Sequence, residues 1–250
     1  TFAPASRTVG SVSAAVAGMN FALTPAPWLA YGYADRIRVT VANANATALT
    51  NYHVEVHLAW RAGMAADFSD LCAGDEQGNA LPFWIERTTA GAEATLWVKL
   101  PRLPALKTSW FYVYYGNPQP DRTGNGDDVF RFFDDFEDGT IDTNKWPTRS
   151  LGSYIAETNG VLKMTGVNAA TYYLRSAAYA TSAVPLVLEA RTWTLANTNG
   201  GWSPVGFWQS TANGLSWMDF GTTVTGHSFR IHGTWFVPNR GQDIAVPHRE

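Results

Sequence analysis

Apolar and polar residues alternate along several short stretches of this 250-residue chain. In Arg36-Ile37-Arg38-Val39-Thr40-Val41, an extended backbone puts Ile37, Val39 and Val41 on one side and Arg36, Arg38 and Thr40 on the other. His53-Val54-Glu55-Val56-His57-Leu58 repeats the pattern, with Val54, Val56 and Leu58 inward and His53, Glu55 and His57 outward. Ser109-Trp110-Phe111-Tyr112-Val113-Tyr114-Tyr115 has the aromatic and β-branched content of a strand, and Asn, Gly and Pro punctuate the intervals. No long segment spaces its apolar residues at 3.6, so the crossover helices of a parallel sheet are missing. The pattern predicts an all-β fold built as two antiparallel, jelly-roll-like sandwiches.

The run Asp121-Arg122-Thr123-Gly124-Asn125-Gly126-Asp127-Asp128 collects turn formers and charges, and reads as an interdomain linker over residues 122–129. A second domain is expected from Phe130, with strand candidates at residues 161–164, 172–175, 186–193, 205–208, 217–220 and 228–231. Ahead of the first domain, residues 1–27 are rich in small and β-branched types and read as an extended arm. Such an arm can add a strand to an exposed sheet edge of its own or a neighbouring copy, or serve as an ordinary first strand.

Composition narrows the function. Lys and Arg number 18 against 21 Asp and Glu, so no broad field gathers nucleic acid or anionic membrane. The stretch 9–23 is too short and, with Ser11, Ser13, Gly18 and Asn20, too polar to anchor in a bilayer, and no apolar run spans one. The single cysteine, Cys72, makes neither an internal disulfide nor a zinc cage, and reads as a small buried residue. Few cysteines and lysines, with abundant Thr, Asn, Ala, Gly and Trp, suit an exported or virion protein.

Four phrases then follow one another in order: Leu81-Pro82-Phe83-Trp84-Ile85-Glu86, Leu96-Trp97-Val98-Lys99-Leu100-Pro101, Tyr114-Tyr115-Gly116-Asn117-Pro118 and Phe132-Phe133-Asp134-Asp135-Phe136-Glu137. This series resembles DUF2341, a β-sandwich module of bacterial and archaeal surface proteins and some phage proteins that often leads into a concanavalin-like (LamG-type) jelly roll. The resemblance begins near Trp28 and implies a DUF2341-like sandwich over residues 28–121. From Asp134 the chain is similar to the opening of concanavalin-like jelly rolls, which implies one over residues 130–250. That family usually needs more chain than is present here, so closing strands are expected to be missing. A longer parent protein, a compact variant, or a strand supplied by another copy would each account for this. The resemblance implies no reaction.

Candidate chemistry is sparse. The glycoside hydrolases among concanavalin-like folds carry paired carboxylates as Glu-x-Asp-x-Glu on one strand, since retaining chemistry needs two carboxyl groups about 5 Å apart. Here the nearest strand offers only Glu189, with Arg191 beside it. No Gly-x-Ser-x-Gly elbow, phosphate loop or dinucleotide fingerprint occurs, and Asp70 and Asp75 near Cys72 disfavour its thiolate. His53 and His57 share a strand face but stand about 13 Å apart, too far to chelate one ion.

The acidic cluster Asp134, Asp135, Glu137 and Asp138 offers hard oxygen ligands for a structural calcium, against the plainer reading of solvated turn carboxylates. Asp134 and Asp135, as neighbours on an extended chain, point to opposite sides and need a bend to converge. Trp202, Trp208, Trp217 and Trp235 are the candidate glycan-stacking residues, against the alternative that they fill an all-β core. The expectation is a non-enzymatic protein, extracellular or on a cell or virion surface. Its sandwiches would assemble with other copies of itself into a filament, appendage or virion, or adhere. The alternative is a carbohydrate-binding module of a larger secreted protein, with polysaccharide as partner and no nucleic acid.

Overall fold

The computed structural model describes residues 32–120, 122–149, 154–165, 173–177, 187–192, 203–211, 214–222, 227–231, 234–236 and 248–249. It divides into two compact units, Thr1–Asp134 and Asp135–Glu250. The stretch expected to be a linker, residues 122–129, and Phe130, expected to open the second domain, lie inside the first unit. Residues 1–27, expected to form an arm, lie outside the described residues, as does Trp28.

The first unit holds β1 (Asp35–Asn43), β2 (Leu49–Ala59), β3 (Cys72–Asp75), β4 (Phe83–Thr89), β5 (Glu93–Leu103), β6 (Lys107–Tyr115) and the single-turn helix α1 (Gly126–Val129). They form two antiparallel three-stranded sheets, one ordered β1-β6-β3 and the other β2-β5-β4. Alternation decides which face is buried. Ile37, Val39 and Val41 pair across from Val113, Phe111 and Ser109, while Val54, Val56 and Leu58 pair across from Val98, Leu96 and Ala94. Both inner faces feed one core in which Phe111, Val113, Leu96 and Val98 are fully buried. Each such side chain contributes about 1.5–3 kcal/mol by leaving water. The all-β expectation therefore holds, in a sandwich-like arrangement.

Loops are tied down by side chains that replace missing backbone partners. Asn43 Nδ2 donates to the carbonyls of Thr47, Leu103 and Pro104 at 3.0, 3.2 and 3.1 Å, joining the β1–β2 turn to the end of β5. Asp75 accepts from the backbone N–H groups of Gln77 and Asn79, closing the turn after β3. At one end of the sandwich the buried Asp70 carboxylate accepts from Gly116 N–H at 2.6 Å. Gly116 adopts φ +80°, and a Cβ there would stand 2.9 Å from the Ala34 Cβ. The tight turn of the Tyr-Tyr-Gly-Asn-Pro phrase thus requires glycine.

The second unit contains β7 (Thr148–Arg149), β8 (Ile155–Glu157), β9 (Leu162–Met164), β10 (Leu174–Arg175), β11 (Arg191–Thr192), β12 (Ser203–Thr211), β13 (Gly214–Thr222), β14 (His227–Ile231), β15 (Thr234–Phe236) and β16 (His248–Arg249). Among the described residues its largest sheet is an antiparallel meander, β12-β13-β14-β15. The pairs β7/β10, β8/β9 and β11/β16 are short. Of the strand expected at 186–193 the structure describes 187–192, and among those residues Arg191 and Thr192 pair while Val187 is 93% exposed.

Candidate functional site

Three of the four phrases that mark the sequence, those of Trp84, Trp97 and Phe133, meet on the outer face of the β2-β5-β4 sheet, while the Tyr-Tyr-Gly-Asn-Pro phrase ends β6 of the other sheet. Trp84 of β4 and Trp97 of β5 are direct neighbours in register, and Glu55 of β2 lies opposite Trp97. Trp97 Nε1–H donates to Glu86 Oε2 at 2.8 Å, beside an irregularity between Ile85 and Arg87 that re-aims β4. The chain after β6 returns across this face. Asn125 caps α1 by accepting from Asp127 N–H, and Phe130 follows the helix onto the indoles. Phe130 lies 5.6 Å from Trp97, 5.9 Å from Trp84 and 5.3 Å from the His53 ring, while Phe133 stands edge-on to Trp84 at 4.6 Å.

Two polar contacts fix this aromatic cap. His53 Nε2–H donates to Val129 O at 3.0 Å, and Lys99 Nζ donates to Asp128 O at 2.7 Å. Burial lowers the His53 pKa from its ordinary 6.5; the bond to Val129 raises it and the nearby Lys99 charge lowers it further. Gly126 is buried, and a Cβ there would overlap the Phe133 ring. The cap belongs to the fold of the module.

Further along the same face, Arg87, Thr95 and His57 form a cross-strand rung. Arg87 donates to Thr95 Oγ1 at 3.5 Å, Thr95 Oγ1 lies 3.4 Å from His57 Nδ1, and His57 Nε2 is 3.5 Å from Glu55 Oε1. A hydroxyl, an imidazole and a carboxylate in line resemble a nucleophile with its base. Yet the His57 side chain is 71% exposed and the contacts are at the limit of hydrogen bonding, so this is a solvated sheet rung.

Of the acidic candidates, Asp134 falls in the first unit and Asp135, Glu137 and Asp138 in the second. Asp138 accepts from Thr140 N–H at 2.8 Å and from its hydroxyl at 3.2 Å. That backbone bond holds the Asp138 carboxyl below the usual carboxylate range. Glu137 lies against Gly160, where a Cβ would meet its carboxylate at 2.6 Å. Glu157, buried on β8, is the acidic neighbour that the local phrase did not reveal, because it comes from a strand some twenty residues on. Among the described residues, no three His, Cys, Asp or Glu side chains gather as a metal cage.

Trp202 lies outside the described residues. The other three tryptophans fall into one register. Trp208 pairs with Trp217, Asp219 pairs with Arg230, and Arg230 pairs with Trp235. Positions 217 and 219 have the same parity on β13, so Trp208, Trp217, Asp219, Arg230 and Trp235 occupy one face of the meander. Val205, Phe207, Met218, Phe220, Phe229, Ile231 and Phe236 occupy the other.

The structure thus defines an antiparallel, sandwich-like module followed by a second β unit. The family model described as "Domain of unknown function (DUF2341)" matches residues 67–149, a stretch running from before β3 through the aromatic cap to β7. No curated protein and no solved structure matches the chain. No helix among the described residues is long and apolar enough to cross a membrane.

Proposed function

We propose that this is a non-enzymatic surface protein, extracellular or carried on a cell or virion, that works by assembly and adhesion. The observation that carries the reading is the edge strand β1. It pairs with β6 through nine consecutive residues without a break, and among the described residues its other side has no strand beside it. The remaining edges of the first unit are blunted: β3 is four residues long, β4 is irregular at Glu86, and β2 passes through Asn51 at φ +49°. A long regular edge is the surface on which an extended segment of another copy adds as a strand. The segment 1–27 is the donor we assign to it. Light scattering and negative-stain microscopy of the whole chain, beside one lacking residues 1–27, test this. Ordered multimers that become monomers on deletion support it; a monomeric whole chain overturns it.

A second reading has its own observation. The shared register of Trp208, Trp217 and Trp235 with Asp219 and Arg230, opposite an apolar face, suits a polysaccharide platform in which indoles stack on sugar rings and the charged pair bonds hydroxyls. Retention on polysaccharide columns, lost when the three are changed to alanine, tests it.

A further inference from the structure

Two asparagines stand two residues apart where β1 turns into β2, and the fold uses them differently. Asn43 is 4% exposed, and its Nδ2 is committed to the carbonyls of Thr47, Leu103 and Pro104. Asn45 is exposed. Its backbone is held on both sides, the N–H by Asn43 Oδ1 at 3.0 Å and the carbonyl by Leu106 N–H at 3.1 Å. Its side-chain amide has no hydrogen-bond partner among the described residues.

Asn45 opens the triplet Asn45-Ala46-Thr47, and no other Asn-x-Ser/Thr occurs in the 250 residues. All three residues are exposed and lie in a bend outside the strand ladder, so an enzyme can grip them without breaking a sheet. Ala46 puts no bulk between the amide and the hydroxyl. The bond from Asn43 uses the Thr47 backbone carbonyl, and the Thr47 hydroxyl has no hydrogen-bond partner among the described residues. Across the bond to Asn45 O, Leu106 takes φ +52°, a left-handed conformation that disfavours a residue with a Cβ, and its side chain is 70% exposed. It sets an apolar surface beside the turn that the apolar face of a sugar ring can cover.

A free asparagine amide, followed two residues on by a hydroxyl with no proline between, is what N-linked glycosylation asks of its acceptor. We propose that Asn45 is an N-glycosylation site whose co-substrate is an oligosaccharide carried on a polyprenyl diphosphate, transferred by an oligosaccharyltransferase. Asn45 Nδ2 attacks the anomeric carbon of the first sugar. The new C–N bond forms as the bond from that carbon to the diphosphate oxygen breaks, polyprenyl diphosphate departs, and Nδ2 gives up one proton to a base of the transferase. Asn45 meets that enzyme only in a chain that leaves the cytoplasm, so its modification rests on the surface reading above. Asn45 lies beyond Asn43, the last residue of β1, and its modification is compatible with strand addition along that edge.

The test is peptide mapping by mass spectrometry, with electron-transfer fragmentation, of the whole chain purified separately from the cytoplasm and from the exported fraction of the cells that make it. Trypsin, cutting after Arg38 and Arg61, releases residues 39–61 as one peptide that also holds Asn43 and Asn51, neither of which opens an Asn-x-Ser/Thr. A saccharide mass is expected on Asn45 and on neither of the other two. Asn45→Gln should abolish it. Thr47→Ala should abolish it too, although the acceptor amide is intact, while Thr47→Ser should keep it. Made in cells without the transferase, Asn45→Gln and Thr47→Ala should unfold at the same midpoint as the parent, because both side chains are exposed; loss of the saccharide is then not loss of the fold. An exported chain with a bare Asn45, or a saccharide that persists in Thr47→Ala, overturns the site and leaves the surface reading standing. A chain confined to the cytoplasm overturns both.

Discussion

Phe133 stands edge-on to Trp84, centroids 4.6 Å apart, although the two lie nearly fifty residues apart and on the outer side of their sheet. An outward face that collects two indoles would ordinarily be a liability in water. Phe130 and Phe133 cover it, stacked 5.9 Å from each other. Phe130→Ala and Phe133→Ala should each destabilise the first unit by about 2 kcal/mol, below the full range for buried phenylalanine because both rings are half-buried. Urea unfolding followed by fluorescence measures this, and a loss under about 0.5 kcal/mol for both would show that the cap does not support the sheet.

Asp70 is 4% exposed and holds Gly116 N–H through one carboxylate oxygen, while the other oxygen has no hydrogen-bond partner among the described residues. Its carboxylate anchors the loop before β3 to the turn after β6. Asp70→Ala should cost about 2 kcal/mol by orphaning a buried backbone donor, whereas Asp70→Asn, which can still accept, should cost less. Equal losses for the two variants would show that charge matters more than acceptance.

His53 makes the cap sensitive to pH. Its pKa is lowered by burial in the fold, while the unfolded chain titrates near 6.5. Between those values the unfolded chain holds a proton that the folded one does not. The stabilisation is therefore fully present above about pH 6.5 and is lost as pH falls through the lowered value. Unfolding free energy should decline on acidification through this window, and His53→Gln should remove that slope while carboxylate titration at lower pH persists. An unchanged slope would assign it to another group.

Much of this architecture is legible in the residues alone, and what is not has a common cause. Ile37, Val39 and Val41, and likewise Val54, Val56 and Leu58, announce their faces because period-2 alternation is a local property. Cys72-Ala73-Gly74-Asp75 has no such pattern and becomes a strand only because β6 offers it a partner. The reverse holds at residues 186–193, where alternation exists but, among the described residues 187–192, strand pairing is made by Arg191 and Thr192, with Arg249 and His248. Phe130 and Phe133 look in sequence like the start of a new core; their role as a cap depends on indoles brought from β4 and β5. Arg36 and Arg38 read simply as a wet face, and the rings beneath them come from β6, some seventy residues later. Non-local pairing is the common thread.

The register of the meander makes the sharpest test of the second unit, because adjacent residues should behave oppositely. Trp217 shares its parity with Asp219, and Met218 shares its parity with Phe220, which pairs with Phe229. If the Val205, Phe207, Met218, Phe220 face is the core, Phe220→Ala should cost about 3 kcal/mol and Met218→Ala about 2 kcal/mol. Trp217→Ala should then cost under about 1 kcal/mol despite removing the largest side chain. The same Trp217→Ala, with Trp208→Ala and Trp235→Ala, should weaken retention on polysaccharide, each by about tenfold or less, as expected for the loss of one stacking ring. Large destabilisation by all three tryptophan changes, with retention per folded molecule unchanged, would place the indoles in a core and leave β1 as the basis of the function.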